Sequence, residues 1–294
     1  MSEQAESRRL RLLEKLAEKQ EPRDLDALAE DLACDSRTIR RDLDYLQQLI
    51  GRIQGIEVRR GKVHIARSGY SPGYFTDQLS RNMEAKEAIA RAIVSSLPDD
   101  LAIALTAGST PFAVAQELRR AVAEQGRPHN VIVFTNSVPS LMELVAAGIS
   151  TGVLGDIYAP EDCAFHAPEF HSAFQPGLAI VGASGVVFDS TSSSGQLELY
   201  SHRAEEAAFL KQLLAGVPEV IVAVDSAKLG RRHPWSFGGT VLAGKTIRIV
   251  TDVLSHSQKE QLAQLAARLA ENGTCLSFES TADCTPPRSK SNSD

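Results

Sequence analysis

The stretch from residue 35 to residue 50 most constrains what this chain can fold into, because it carries two opposed stripes at helical spacing. Ile39, Leu43, Leu46 and Ile50 recur every three or four residues and form one apolar face. Four polar residues repeat at the same spacing on the opposite face, at about 100° per residue: Arg37, Arg41, Asp44 and Gln48. One face can anchor such a helix while the other offers guanidinium and amide groups. An isolated amphipathic helix with a solvated polar face has the same pattern.

The sequence before this stretch predicts a helix-turn-helix. Asp35 or Ser36 can cap the helix by accepting hydrogen bonds from its free first-turn amides. Asp24 can cap a preceding helix in the same way, and residues 7–19 predict a helix before that. The order of helix, helix, short turn and helix is that of a motif whose last helix enters the DNA major groove.

Two short strands after this helix predict a wing. Gly51 can end the helix. Residues 53–58 and 62–66 then form an antiparallel hairpin, with Arg59 and Arg60 at its tip. Arginines in this place can hold the sugar-phosphate backbone of a duplex.

Charge supports a DNA contact more than a protein contact. The chain carries a net charge of −6, but from residue 37 to residue 62 seven basic residues outnumber three acidic ones. Such a local excess of basic residues favours contact with phosphates. A winged helix that binds another protein has the same fold but does not need this excess. The expected contacts to double-stranded operator DNA are Ser36, Arg37, Thr38, Arg40, Arg41, Asp44, Gln48, Arg59 and Arg60.

Composition excludes several classes of protein. With 43% hydrophobic and 23% charged residues over 294 positions, the chain has the make-up of a two-domain globular protein. No apolar run approaches the roughly 18 residues of a membrane span, and the charged N-terminus is unlike a signal peptide. Four scattered cysteines without a CxxC pair suit a reducing compartment. We expect a cytoplasmic protein without membrane contact.

The rest of the chain predicts an α/β domain. Apolar strand segments alternate with helical segments from residue 81 to residue 279, which predicts a mostly parallel sheet with helices on both faces. Residues 67–80 are rich in Ser, Gly and Pro and predict a linker. Residues 280–294 predict a disordered tail. The first domain, a winged helix-turn-helix, is then expected over residues 1–66.

Ligands of open α/β sheets bind beyond the carboxyl ends of the strands, so the strand-to-helix turns are the places to look. The first turn has Gly108 for close backbone approach, hydroxyls on Ser109 and Thr110, and Pro111 to open the helix. Free amides and the helix dipole at this point can hold a phosphate without a basic side chain. An ordinary helix cap has the same composition.

Three more polar turns follow strands of the same sheet. Thr135 and Asn136 suit sugar hydroxyls, Gly182 permits close approach, and Asp225 can take a hydroxyl while Lys228 neutralises a phosphate. Together these turns are more persuasive than any one of them. The expected effector-binding residues are Ala107, Gly108, Ser109, Thr110, Thr135, Asn136, Gly182, Asp225 and Lys228.

A metal site is the less favoured interpretation of another polar segment. Cys163, His166 and His171 lie close in sequence beside acidic residues, but their spacing fits no closed zinc pattern. We therefore expect a polar loop, no metal and no cofactor. Glu198 and His202 could line the ligand pocket or could be solvated at a helix start.

Both halves of the chain resemble DeoR-type bacterial transcription regulators. In the first half the similarity is strongest over residues 38–43, Thr-Ile-Arg-Arg-Asp-Leu. In the second half it covers the turns at 107–110, 135–137 and 225–230, in the family order. The resemblance implies a winged helix-turn-helix followed by an effector domain similar to ribose-5-phosphate isomerase, which binds a phosphorylated sugar.

The sequence departs from the family pattern at three places. The wing lacks the usual His-Gly-Gly, Thr106 stands where an Asp is usual, and Gly155 is followed by Asp156 instead of a second glycine. These departures leave the identity of the effector open.

The resemblance implies a regulator of carbohydrate metabolism genes, a repressor by default. Winged-helix domains bind operator half-sites as dimers or higher oligomers, so we expect a homo-oligomer of two or four chains. The rival hypothesis is an enzyme, a sugar-phosphate isomerase or deaminase, because the same α/β unit resembles both. Such chemistry needs a carboxylate base beside an acid. Asp225 and Lys228 are candidates, but the other turns offer no clear carboxylate partner.

Overall fold

The computed structural model describes residues 5, 8–9, 11–12, 15–16, 23–46, 56–59, 62–65, 73–160, 162–167, 176–190 and 195–284. The elements of the first part are β1 (Arg23–Asp24), α1 (Leu25–Asp31), α2 (Ser36–Leu46), β2 (Ile56–Arg59) and β3 (Lys62–Ile65).

Caps and an apolar face explain the N-terminal helices. Asp24 accepts a hydrogen bond from Asp26 N at 2.9 Å and opens α1, and Asp35 accepts one from Thr38 N at 2.7 Å and opens α2. The apolar face of α2 is buried, as its spacing predicts, against α1 and against earlier helical residues such as Leu12. The three strands pair antiparallel in the order β1-β3-β2. The predicted winged helix-turn-helix is therefore confirmed.

A buried ion pair ties the start of the chain to α2. Asp42 is 1% exposed and accepts hydrogen bonds from Arg8 Nε at 2.6 Å and from Arg9 Nε at 2.8 Å. Asp42 therefore points inward, away from the polar face of its helix. A charge taken out of water is tolerated only when it is paired in this way.

The segment predicted to be a linker is helical from residue 73 onward. Helix α3 (Gly73–Ser80) packs its Phe75 edge-on against Phe112, with ring centroids 5.9 Å apart. Lys86, itself buried, donates from Nζ to the main-chain carbonyls of Gln78 and Arg81 and so satisfies the free carbonyls at the end of α3. The Ser, Gly and Pro content concealed this helix because its stability comes from packing on the second domain.

The second domain is built on a sheet of seven parallel strands in the order β15-β14-β12-β9-β4-β5-β6. Its strands are β4 (Ala102–Leu105), β5 (Ile132–Thr135), β6 (Ser150–Val153), β9 (Leu178–Val181), β12 (Glu219–Ala223), β14 (Thr246–Thr251) and β15 (Cys275–Ser280). The helices are α4 (Met83–Ser95), α5 (Ser109–Gln125), α6 (Val138–Ala146), α7 (Ala204–Ala215) and α8 (His256–Ala270).

Two cores cover the two faces of this sheet. Residues of α4, α5 and α6 pack with Ile180 on one face, and residues of α7 and α8 pack with Val181 on the other. Neighbouring residues of one strand point to opposite faces, so a strand that is buried on both reads as an unbroken apolar run. This confirms the predicted α/β fold with helices on both faces.

Two small antiparallel units were not predicted. One is the hairpin of β7 (Ile157–Ala159) and β8 (Ala164–His166). The other is a sheet in the order β10-β11-β13, formed by β10 (Gly185–Asp189), β11 (Gln196–Ser201) and β13 (Trp235–Ser236). Both lie between elements of the main sheet in sequence, where turn residues interrupt the alternation.

The chain remains ordered slightly past the predicted start of the tail. Strand β15 runs to Ser280, and a short helix, α9 (Thr281–Cys284), follows it. Residues 285–294 lie outside the described part of the chain. None of the helices described here has the length and apolar character that crossing a bilayer requires.

Candidate functional site

The polar face of α2 is open to solvent. Arg37, Arg40, Arg41 and Asp44 are all exposed, and Ile39 and Leu43 on the other side are buried. The side chains of Ser36 and Thr38 are engaged locally: Ser36 Oγ donates to Asp26 at 2.5 Å, and Thr38 Oγ1 donates to Asp35 at 2.9 Å. The helix thus presents three arginines on one surface next to its N-terminus.

Some of the predicted DNA-contacting residues lie outside the described part of the chain. Gln48 and Arg60 are not among the described residues, and Arg59 is described by its backbone only. Arg59 is the last paired residue of β2, opposite Lys62 of β3, so it stands next to the tip of the hairpin.

A cavity lies at the carboxyl edge of the parallel sheet. Ala107, Gly108 and Ser109 line it from the turn after β4, Gly182 lines it from the turn after β9, and Lys228 lines it from the turn after β12. Parallel strands bring these turns to one edge because their carboxyl ends all point the same way. Five of the nine predicted effector-binding residues therefore meet at one cavity.

The first turn of α5 has the features of an anion site. Gly108 has a φ of +132°, a conformation that favours glycine. The hydroxyls Ser109 Oγ and Thr110 Oγ1 are buried, and among the described residues neither has a hydrogen-bond partner. Helix α5 is 17 residues long and has no side-chain cap. Of the two hydroxyls only that of Ser109 belongs to a cavity-lining residue, whereas Thr110 is fully buried and does not line the cavity. The first amides of the helix and the Ser109 hydroxyl are thus left for a ligand at its positive end.

Gly182 lies against the same turn. A side chain on Gly182 would place its Cβ 3.1 Å from Pro111 Cδ, so any other residue here would require the two turns to move slightly apart. The Gly182 amide donates to Thr106 Oγ1 at 3.2 Å. Thr106, where the family usually has Asp, therefore joins the ends of two neighbouring strands.

Three of the predicted effector-binding residues stand behind the cavity and support it. Asn136 accepts a hydrogen bond from Ala107 N at 2.7 Å and donates to Phe165 O at 3.0 Å. Thr135 Oγ1 accepts a hydrogen bond from Ser137 N at 3.0 Å. Asp225 Oδ1 accepts one from Asn82 at 3.1 Å. Their polar atoms hold the turns in place and do not line the cavity.

Lys228 brings a buried positive charge to the cavity wall. It ends a 3-10 turn, Ser226–Lys228, whose first amide donates to Asp252 Oδ1 at 2.6 Å. Burial lowers the pKa of Lys228, while the carboxyls of Asp225 and Glu206 act in the opposite direction. The Lys228 Nζ atom is 4.0 Å from Asp225 Oδ2. An anionic ligand group would supply the closer partner that this ammonium lacks within the described residues.

Four further acidic or histidine side chains line the cavity from outside the predicted effector-binding set. Asp162 and His166 come from the β7–β8 hairpin, with His166 Nε2 3.1 Å from Asp162 Oδ2, which also pairs with Arg203 Nε at 3.0 Å. Glu206 begins α7, and burial raises its pKa. His202 precedes that helix, and burial lowers its pKa.

The sequence contained partial signals for these residues. Asp162 and His166 belong to the segment interpreted as a polar loop, and His202 was one of two candidates for the pocket. The other candidate, Glu198, does not line the cavity, because it accepts a hydrogen bond from Ser236 Oγ in the small sheet. Within the described residues no three metal-ligating side chains come together. Cys163 is buried among apolar side chains.

Among the described residues, a contact between Tyr45 and Glu143 joins the helix-turn-helix to the second domain. Tyr45 of α2 donates a hydrogen bond to Glu143 Oε1 of α6 at 2.8 Å, and Arg119 Nε of α5 lies 3.0 Å from Glu143 Oε2. The guanidinium of Arg9 lies 3.7 Å above the Tyr45 ring. Burial and the neighbouring Glu143 raise the pKa of Tyr45, so its hydroxyl remains a neutral donor.

Comparison with known proteins gives two family matches in the order of the domains. Residues 8–71 match the HTH domain family, and residues 81–252 match the DeoR C-terminal sensor domain family. Two curated relatives, the glycerol-3-phosphate regulon repressors of Escherichia coli (strain K12) and Shigella flexneri, are each 26% identical over 219 residues. Those residues are 72% of this chain and 78% of the relative.

Solved structures with a similar arrangement include ribose 5-phosphate isomerases. The enzyme of Plasmodium falciparum has a TM-score of 0.36 and 18% identity, with 49% of this chain and 52% of that chain covered. The enzyme of Methanocaldococcus jannaschii has a TM-score of 0.38 and 21% identity, with 50% and 55% covered. The chain thus spans about half the length of these structures.

The sensor-domain match covers more than half of the chain, and the helix-turn-helix match precedes it. These matches confirm the regulator predicted from the sequence and set aside the isomerase or deaminase. The chain belongs to the DeoR family of transcription regulators, with a helix-turn-helix domain followed by the family's C-terminal sensor domain.

Proposed function

We propose that this protein represses transcription from an operator and releases it when a phosphorylated sugar or polyol fills the cavity at the carboxyl edge of the sheet. The observation that carries the proposal is the buried hydroxyl of Ser109, a residue that lines the cavity at the start of a long helix, because no described residue pairs with that hydroxyl. Buried polar groups without partners are rare in native folds and call for a ligand.

The phosphate of the effector would occupy the turn before α5. The amides of the first helical turn, the Ser109 hydroxyl and the helix dipole all favour an anion at this point. Lys228, on the wall formed by the turn after β12, supplies the positive charge. A charge-assisted hydrogen bond of this kind is worth about 1.5–3 kcal/mol.

The rest of the wall suits the hydroxyl groups of the same ligand. Asp162 and Glu206 offer carboxyl oxygens, and His166 and His202 offer ring nitrogens. His166 Nδ1 is buried and, among the described residues, without a hydrogen-bond partner. The relatives' name makes glycerol 3-phosphate the first effector to test.

The exposed arginines of α2 form the proposed DNA-reading surface. Arg37, Arg40 and Arg41 would enter the major groove with Asp44, and Arg59 and Arg60 of the wing would contact phosphates. Ser36 and Thr38 would contact phosphate or base edges near the start of the helix. Gln48 would read a base further along it.

Self-association completes the proposal. Helix-turn-helix proteins bind two half-sites as symmetric dimers. Apolar side chains are exposed on α6 and on the edge strand β6 and its surroundings: Met142, Val145, Val153 and Ile157. Such a surface on an edge strand supports a homo-oligomer.

Effector and operator are coupled because the effector binds one arrangement of the chain better than the other. Coupling free energies of this kind are about 1–3 kcal/mol. Relief of repression is the direction proposed, as the default for a repressor controlled by its effector. The effector cavity and the recognition helix are joined through α5, α6 and Tyr45.

Calorimetry on the full chain tests the effector half of the proposal. Glycerol 3-phosphate, ribose 5-phosphate and glucosamine 6-phosphate are titrated into wild type and into Ser109→Ala. Duplexes selected from a random pool by the protein supply the operator. We expect saturable binding, without turnover, that weakens in Ser109→Ala and that releases the duplex. Turnover of a probe, or binding unaffected by Ser109→Ala, would contradict the proposal.

A further inference from the structure

Helix α3 forms one wall of the effector cavity, although it belongs to the segment that joins the two domains. Phe75 and Gln78 both line the cavity. They are three residues apart and therefore share one face of the helix. Phe75 is buried, and Gln78 is half-buried. The main-chain amide of Phe112, on which Phe75 packs, donates to Gly108 O at 2.9 Å in the first turn of α5.

The far end of α3 is held against the opposite side of the same site. Lys86 Nζ donates hydrogen bonds to the main-chain carbonyls of Gln78 and Arg81 at the C-terminal end of α3. Asn82 then donates to Asp225 Oδ1 at 3.1 Å, in the turn that carries Lys228. The segment from Phe75 to Asn82 thus contacts both the hydroxyl end of the cavity and the lysine end.

We propose that Gln78 binds the effector directly and helps to select it, an inference that rests on the proposed function. A half-buried amide at the wall can both donate and accept a hydrogen bond. Gly108 and Ser109 line the same cavity as Gln78, so the Gln78 amide would bond an oxygen of the phosphate or of the adjacent hydroxyl. Phe75 positions α3 through its ring contact with Phe112 and closes the cavity from the side of the linker.

This arrangement links binding to the connection between the domains. A ligand that touches α3 as well as α5 stabilises the docked position of α3, because only that position offers both sets of contacts. The sensor domain then holds the last residues before its own first helix more firmly when the effector is bound. No residue of the DNA-binding domain has to contact the ligand.

Calorimetry with glycerol 3-phosphate, ribose 5-phosphate and inorganic phosphate tests the role of Gln78. Gln78→Ala should weaken the binding of the tightest-binding probe about fivefold, which corresponds to the loss of one neutral hydrogen bond. Gln78→Glu should weaken it at least tenfold because it places a negative charge beside the phosphate. Arg81→Gln is the matched control: it changes the net charge by the same amount at an exposed side chain, and it should bind as wild type does.

Hydrogen exchange of residues 75–80 supplies a second readout, which a purely structural role for Gln78 would not change. The bound probe should slow exchange there several-fold in wild type and in Arg81→Gln, and much less in Gln78→Glu. If Gln78→Glu binds within twofold of wild type while Lys228→Met loses binding, the inference about Gln78 is overturned and the proposed function stands. If wild type binds none of the three probes, both are overturned.

Discussion

The DNA-reading surface and the effector cavity are assembled in different ways. The DNA-reading surface comes from one continuous helix, α2, whose arginines are exposed on one side because its apolar residues are buried on the other. The cavity draws its lining from α3, from three turns of the main sheet, from the β7–β8 hairpin and from the start of α7. One surface is local in sequence, and the other is not.

This difference determines what holds each surface ready for its ligand. The arginines of α2 are solvated, so their charges cost little before DNA arrives. The cavity keeps Lys228, Glu206 and the Ser109 hydroxyl, which no described residue pairs with, away from water. Such groups lower the stability of the ligand-free protein and gain it back when a ligand pairs with them. We therefore expect substitutions in the cavity to change effector binding and substitutions on the DNA-reading surface to change operator binding.

The largest expected effect concerns stability of the DNA-binding domain. Asp42→Ala leaves Arg8 and Arg9 without their buried partner and should cost about 3 kcal/mol of unfolding free energy. Thermal unfolding of the full chain, followed at the first transition, measures it. Asp44→Asn, an exposed carboxylate on the same helix, should change stability by less than about 0.5 kcal/mol. Equal effects of the two substitutions would show that Asp42 is not a structural anchor.

The next effect is on effector binding. Lys228→Met should weaken the binding of a sugar phosphate by about 1.5–3 kcal/mol, which is the contribution of a hydrogen bond to a charged group. Operator affinity without effector should remain that of wild type. Calorimetry measures the affinity for the effector, and an electrophoretic mobility shift measures the affinity for the operator. Lys211→Met, at an exposed lysine of α7, should alter neither quantity. A loss of DNA affinity in Lys228→Met would break the separation of the two surfaces.

Arg41→Ala should give the reverse result. Loss of one groove or phosphate contact should weaken operator binding by about 1–3 kcal/mol, with effector affinity unchanged. Arg91→Ala removes the same charge from an exposed site on α4 and serves as the control in the same shift experiment. Operator binding that is unaffected by Arg41→Ala but reduced by Arg91→Ala would place the DNA surface elsewhere.

Thr110→Val sharpens the comparison because it should move stability and binding in opposite directions. It replaces a fully buried hydroxyl, for which the described part of the chain offers no partner, by a methyl group of the same shape. The ligand-free protein should gain about 1 kcal/mol of stability, while effector affinity falls by a similar amount. Denaturant titration and calorimetry give the two values. Thr246→Val, at an exposed threonine, should change neither, and a destabilised Thr110→Val would mean that its hydroxyl has a partner.

The smallest expected effect concerns communication between the surfaces. Tyr45→Phe removes the hydrogen bond to Glu143 and should leave operator and effector affinities close to wild type. It should reduce the effect of effector on operator affinity by about 1 kcal/mol, or roughly fivefold. The measurement is operator binding with and without saturating effector. Tyr158→Phe, which removes a hydroxyl from an exposed tyrosine, should leave the coupling intact.

The sequence by itself determined the elements whose signals are local. The 3.6-residue spacing of Ile39, Leu43 and Leu46, with a capping Asp35, was enough to predict α2 and its exposed face. Unbroken apolar runs predicted the buried parallel strands, and glycine and hydroxyl residues after them predicted the turns at their carboxyl ends. Each of these depends on contacts within a few residues of chain.

Only the tertiary structure decided which polar groups face the ligand. Asn136 and Asp225 look like ligand contacts in the sequence, yet their oxygens are taken by Ala107 and Asn82. Asp162, Glu206 and Gln78 reach the cavity because a hairpin and two helices pack over the sheet edge. The sequence pattern likewise did not predict that the Asp42 side chain is buried, since its partners lie 33 and 34 residues away in the chain. A polar side chain bonds to whatever the fold places beside it, and that neighbour is set by packing over long separations rather than by local pattern.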